Sequence, residues 1–153
     1  MADKKIKEDY RRSVFLVVYS VKNKKVEYLI LKRKLHWKGW EFPKGGINVL
    51  EFERHAVKRE LYEETGLKAI KIKQFKNSGR YKYEKKFSDR PGIAGQKYRL
   101  YAAEVPRKNI KIDEIEHSDY MWVDFKKALK KLKWPNQKKC LKIVDKWLKE
   151  KLK

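Results

Sequence analysis

The chain is poor in cysteine, in acidic residues and in long apolar runs, and each shortage closes off a class of reading. A single cysteine, Cys140, permits no internal disulfide. It follows Lys138 and Lys139 in an amphipathic stretch, where a small packed residue is expected rather than a reactive thiol. No stretch approaches the ~20 apolar residues that a membrane span requires. The N-terminal MADKKIKEDYRR lacks the apolar core of a signal peptide, so the cytoplasm is the expected location. Acids number 20 against 42 Lys and Arg, a formal net charge of +22. That balance implies attraction to polyanions such as RNA, DNA or small phosphorylated molecules. Dense lysine is equally a habit of proteins built for high temperature, so charge alone names no ligand.

What is present argues for a folded globule. The chain has 153 residues, 41% of them hydrophobic, with five Trp, nine Tyr and six Phe. That suffices for one domain, 1–153, and is short for two. Segments 12–21 (RSVFLVVYSV) and 25–33 (KVEYLILKR) are β-rich and flank a polar turn, which predicts a hairpin of buried strands. Segment 34–46, punctuated by Trp37, Gly39, Trp40, Pro43 and Gly45-Gly46, reads as a loop. A helix is expected over 52–65, with Phe52, Ala56, Val57 and Leu61 as its apolar stripe. Alternation predicts separate strands at 68–76 and 80–86. The loop SDRPGIAG at 88–95 precedes a strand at 97–105, and a short strand follows at 120–123. Helices at 125–132 and 136–152 close the chain, the last with Leu141, Val144, Trp147, Leu148 and Leu152 on one side. Interleaved strands and helices point to an α/β or α+β sandwich.

One feature of the 52–65 helix is electrostatically odd. Glu60, Glu63 and Glu64 crowd into about one turn just before Gly66, a residue suited to end a helix. Like charges at this spacing repel by roughly 0.2–0.5 kcal/mol per pair. The macrodipole also disfavours negative charge at a helix C-terminus. A hard divalent cation reverses the sign of both costs, and Mg²⁺ binds through a few carboxylates plus substrate phosphates.

The same residues carry a resemblance. Gly45, Glu51, Arg59, Glu60, Leu61, Glu63, Glu64, Gly66 and Leu67 match the Nudix hydrolase pattern G-x5-E-x7-R-E-U-x-E-E-x-G-U, where U is a bulky aliphatic residue. At residue frequencies near one in twenty, such a match arises by chance on the order of 10⁻¹⁰ per starting position. The resemblance implies the family's α/β/α sandwich around a mixed sheet. It implies Glu60, Glu63 and Glu64 as carboxylates for Mg²⁺, with Mn²⁺ as the alternative ion. Lys44 to Gly46 would then help to seat the metal through backbone, Gly45 and Gly66 would shape the turns, and Glu51 and Arg59 would orient the cluster through charge-assisted hydrogen bonds. Glu60 is the family's usual general base. Glu116, in IEHSDYMWV, is the candidate from outside the box. Val49-Leu50 stands where many relatives have Pro-Gly, which puts the geometry of that turn in question.

The implied reaction is hydrolysis of a diphosphate linkage in a nucleoside polyphosphate. The run Trp40 to Asn48 looks like the matching stretch of dinucleoside polyphosphate hydrolases and of bacterial RNA pyrophosphohydrolases. Tyr83 stands where the former branch typically has a tyrosine, and Tyr81 shares its face. Stacking on aromatic rings is worth ~1–3 kcal/mol per base, so both are candidate platforms for a base. Lys44, Arg33 and Lys85 are candidate phosphate contacts, and His36-Trp37 a candidate second aromatic wall. His55 reads as a surface residue. Asymmetric cleavage of diadenosine tetraphosphate is the expected activity. Removal of pyrophosphate from triphosphorylated RNA 5′ ends is the alternative, and a basic RNA-binding module without catalysis the third reading. Nothing in the sequence specifies an oligomer.

Overall fold

Residues 14–19 alternate between two cores, and this alternation organises the molecule. The computed structural model describes residues 9–153; the polar stretch 1–8, on which the expectation of no signal peptide partly rests, lies outside them. Strand β1 (Asp9–Lys22) runs through the centre. Its Val14, Leu16 and Val18 face one side, where they pack with Ala56, Val57 and Leu61 of helix α1 (Glu53–Thr65). Phe15, Val17 and Tyr19 face the other. There they meet Ala128 of helix α2 (Phe125–Lys131) and Leu141, Val144 and Leu148 of helix α3 (Pro135–Lys151). The strand period of two thus builds both halves of an α/β/α sandwich from one segment.

Among the described residues the sheet has seven strands and is mixed. β2 (Lys25–Arg33) returns antiparallel to β1 through Asn23 and Lys24, both at positive φ. β3 (Gly39–Glu41) pairs with the far end of β2, and β4 (Lys44–Gly46) with the start of β1. β6 (Ile93–Glu104) lies parallel to β1 and antiparallel to the edge strand β5 (Lys71–Lys82). β7 (His117–Val123) covers the other side of β2. Two buried polar ties lock α3 down: Tyr28 Oη donates to Asp145 at 2.7 Å, and the Phe42 amide donates to Gln137 Oε1 at 2.8 Å.

Four expectations need correction. Segment 34–46 holds β3 and β4, three-residue strands whose pairing leaves no side-chain pattern to read. Segments 68–76 and 80–86 both run into one strand, β5, which spans Lys71–Lys82; a register shift between Gln74 and Ser78 absorbs the apparent break. β6 begins at Ile93 and β7 at His117, both earlier than expected. Phe52 is not on the apolar stripe: it is the N-cap of α1 and 85% exposed. Cys140 is buried as expected, and burial pushes its thiol up to about 11. Among the described residues, no helix is long and apolar enough to cross a membrane.

Candidate active site

The site is built where β4 passes over the last turns of α1. Glu60 and Glu64 lie one turn apart on the inward face and are buried. The Lys44 amide donates to Glu64 Oε2 at 3.0 Å. A Cβ on Gly45 would overlap the Glu60 carboxylate, so that close approach demands glycine. Arg59 ties the pieces together. It donates to both oxygens of Glu51 at 2.8 and 2.9 Å, to Glu60 Oε1 at 2.7 Å and to the Gly46 carbonyl at 2.7 Å. The two bonds from Arg59 to Glu51 form a bidentate, charge-assisted pair. The Arg59 hydrogen bonds hold the Glu51 carboxyl well below the ordinary carboxylate range. Gly66 ends α1 with φ of 72° and donates to the Tyr62 carbonyl at 2.8 Å. Leu50, 98% exposed, takes φ of 64°, so the turn before Glu51 closes without glycine.

Glu63 is different from its neighbours. Its side chain is 54% exposed and turned toward Arg59 at 3.2 Å. The acids that do converge are Glu64 and Glu116, with His117: one ligand atom from each lies within 4.8 Å of the others. Burial pushes Glu60 up to about 7, against the pull of Arg59. Burial also pushes Glu64 well above its ordinary value, reinforced by the charges of Glu60 and Glu116. Glu64 Oε1 is buried and has no hydrogen-bond partner among the described residues. Crowded buried oxygens with an unfilled acceptor fit a hard divalent cation, which would satisfy both the lone pairs and the charge.

A second layer behind these acids centres on Glu41, wholly buried in β3. It accepts from Trp37 Nε1 at 2.9 Å and Arg33 Nη1 at 3.4 Å, pairs with His117 Nε2 at 3.1 Å, and lies 4.0 Å from the Lys44 ammonium. Burial alone would raise its pKa, yet Lys44, His117 and Arg33 hold it down at about 2. Burial pushes the Lys44 ammonium the other way, down to about 8, despite Glu41. Arg33 also reaches Glu116 at 3.3 Å and lies 4.7 Å over the Trp37 ring. Arg33, Lys44, Glu60 and Glu116 therefore line one cleft, together with Arg11 and Arg90. Sequence reasoning missed Glu41, His117, Arg11 and Arg90. His117 follows the candidate Glu116 in the chain, but adjacency alone gives its side chain no direction.

The larger cavity, about 690 Å³, adjoins this cleft, sharing Trp37 and Lys44 with it. Its aromatic walls are Phe15, His36, Trp37, Tyr81, Tyr83, Phe87 and Trp134. Tyr81 and Tyr83 meet edge-on at 6.1 Å, Phe87 lies 5.1 Å from Tyr83 and 4.3 Å from His36, and Trp134 meets Trp37 edge-on. Lys44 Nζ lies 4.3 Å over Trp37 and 3.3 Å from Tyr81 Oη. Tyr83 Oη accepts from Arg90 at 2.7 Å and Gln96 at 2.9 Å, which ties the cavity floor to the cleft. Lys85 lines the cavity from the 84–92 loop, its ammonium 5.8 Å from the Phe87 ring centre. His55 is exposed and touches Glu51 at 2.7 Å.

Comparison with known proteins agrees with this architecture. A NUDIX domain model matches residues 9–143. The RNA pyrophosphohydrolase of Pseudoalteromonas atlantica is 30% identical over 129 residues, covering 77% of this chain and 72% of its own. That of a Nitratiruptor species is 34% identical over 126 residues, covering 78% and 81%. Among solved structures, a C. elegans Ap4A hydrolase binary complex superimposes with a TM-score of 0.71 at 21% identity, covering 92% of this chain and 98% of the other; at that identity the likeness speaks to fold. The family model spans most of the chain, over the fold and box just described, and the chain belongs to the Nudix family.

Proposed function

We propose that the protein hydrolyses a phosphoanhydride bond in a nucleoside polyphosphate, with diadenosine tetraphosphate cut asymmetrically to ATP and AMP as the leading substrate. The observation that carries this reading is the shared wall. The aromatic cavity adjoins, across Trp37 and Lys44, the cleft lined by Glu60 and Glu116, and the Lys44 amide holds Glu64. A base stacked against Tyr81, Tyr83 or Trp37 lays its phosphates along Lys44, Arg33 and Lys85, with Arg11 and Arg90 beyond. Glu60, Glu64 and Glu116 are the residues to hold a divalent cation, Mg²⁺ or Mn²⁺, with Glu63 at the exposed rim. The bound ion would neutralise phosphate oxygens and make water more acidic. Glu60, buried and fixed by Arg59, accepts the proton of the attacking water, and Glu116 is the second candidate for that role.

The names of the curated relatives and the +22 charge favour a second substrate, triphosphorylated RNA losing pyrophosphate from its 5′ end. A panel of diadenosine tetraphosphate, triphosphorylated RNA and ADP-ribose, run with Mg²⁺ and with Mn²⁺, separates the two. ATP and AMP as the dominant products support the first reading. Faster release of pyrophosphate from RNA replaces it with the second, and turnover of neither refutes both. The retained carboxylates argue against a purely binding module. A cytoplasmic location, one domain over the whole chain and a small nucleotide partner belong to the same reading.

A further inference from the structure

His117 opens β7 with its side chain wholly buried, and one of its nitrogens is already committed. Nε2 lies 3.1 Å from Glu41 Oε2. Glu41 accepts from Trp37 and Arg33 and sits beside the Lys44 ammonium, so it is a carboxylate with only lone pairs to offer. Glu41 therefore accepts from Nε2, which leaves Nδ1 as the ring nitrogen open to another partner. Among the described residues, Nδ1 has no partner, and neither has Glu64 Oε1. A nitrogen of this ring, a Glu64 oxygen and a Glu116 oxygen lie within 4.8 Å of one another. A carboxylate that holds one histidine nitrogen fixes the ring and leaves the other nitrogen to donate to a metal.

We propose that His117, through the nitrogen not bonded to Glu41, joins Glu64 and Glu116 as a ligand to the divalent cation, and that this nitrogen makes the centre favour Mn²⁺ or Co²⁺ over Mg²⁺. The inference rests on the reading of the acid cluster as a metal centre and adds a ligand to it. Mg²⁺ is a hard ion that takes oxygen ligands and holds its waters. Imidazole suits the transition metals, so a mixed nitrogen–oxygen set shifts the balance toward them. The pairing of Glu41 with His117 is then a positioning device as well as a packing one.

The test uses the full chain loaded with Mn²⁺ alone. His36 and His55 are replaced by Gln, leaving His117 as the single histidine. Pulsed electron paramagnetic resonance should detect a ¹⁴N coupling to Mn²⁺ that changes to a ¹⁵N pattern when histidine is labelled. Titrations should show that His117→Phe weakens Mn²⁺ binding about 10–100-fold while Mg²⁺ binding changes less than about threefold. Absence of nitrogen coupling, or equal loss for both ions, overturns the inference. If His117→Phe does not fold, the label experiment decides alone. Glu64→Gln separates the two levels: should it spare Mn²⁺ binding, the acid cluster is not the metal centre. Should it abolish binding while the spectrum lacks nitrogen coupling, only the role of His117 falls.

Discussion

Replacing Glu64 by Gln should raise stability and abolish turnover, two effects of opposite sign from one atom exchange. Gln keeps an oxygen to accept the Lys44 amide, 3.0 Å from the present carboxylate, and nearly keeps the volume. What it removes is a buried negative charge that faces Glu60 and Glu116. Because burial raises the folded pKa well above the unfolded value of 4.5, the folded chain retains a proton that the unfolded chain has released. Stability of the metal-free protein therefore falls as pH rises from about 4.5 toward that raised pKa, and the variant escapes this loss. Leaving a buried polar group unsatisfied costs about 1–3 kcal/mol, more if charged, which sets the scale of the gain. For a chain of this size it amounts to roughly 2–4 °C in Tm per kcal/mol. Thermal melts in chelator at pH 5 and pH 8 should show the variant matching the wild type in acid and exceeding it in base. With Mg²⁺, kcat should fall at least ~10²-fold, the scale of deleting one key electrostatic interaction. A variant less stable than wild type at pH 8, or one that keeps its turnover, refutes this account of the cluster.

Gly45→Ala should lower kcat as severely, since the added methyl displaces the Glu60 carboxylate; an active alanine variant would show the strand to be movable. Arg59→Lys should also be strongly impaired, because a lysine cannot span Glu51, Glu60 and the Gly46 carbonyl at once, and titration of metal affinity reads the loss. Tyr83→Ala should weaken nucleotide binding by ~1–3 kcal/mol and leave metal affinity unchanged; a lower Tm with unchanged KM would make the ring merely structural. Residues 124–153 hold twelve Lys against three acids, and neutralising Lys138, Lys139 and Lys142 should flatten the salt dependence of RNA binding, the slope falling by ~0.7 for each phosphate these lysines neutralise. The first turn of α3, Pro135 to Gln137, lines the cavity, but hydrolysis of diadenosine tetraphosphate should be unaffected; a large drop there would show that these lysines reach the small substrate as well.

The parts of the site that the sequence displays are those fixed by local geometry. Glu60 and Glu64 share a helix face at i, i+4, and Gly66 ends that helix in a left-handed conformation. Both are properties of a few consecutive residues, so spacing reveals them. Glu63 shows the limit of the same logic. At i+3 from Glu60 it belongs to the same face in projection, yet the helix packs with Glu60 and Glu64 inward, leaving Glu63 at the rim beside Arg59. Glu41, His117, Arg11 and Arg90 are illegible for another reason. Pairings between distant strands set Arg11 at the cleft and Glu41 and His117 in the layer behind it, the loop after β5 adds Arg90, and no local period encodes which of these will meet. Glu41 in particular sits in a run that reads as aromatic loop, and its meaning comes from His117, 76 residues away in the chain. The order of construction follows. The helix and its glycine turn set the carboxylates, and the sheet supplies the layer behind them. The two are joined at Lys44, whose amide holds Glu64 while its ammonium faces Glu41, Trp37 and Tyr81. A change at Lys44 should therefore disturb metal site and base pocket together, which no substitution confined to either half would do.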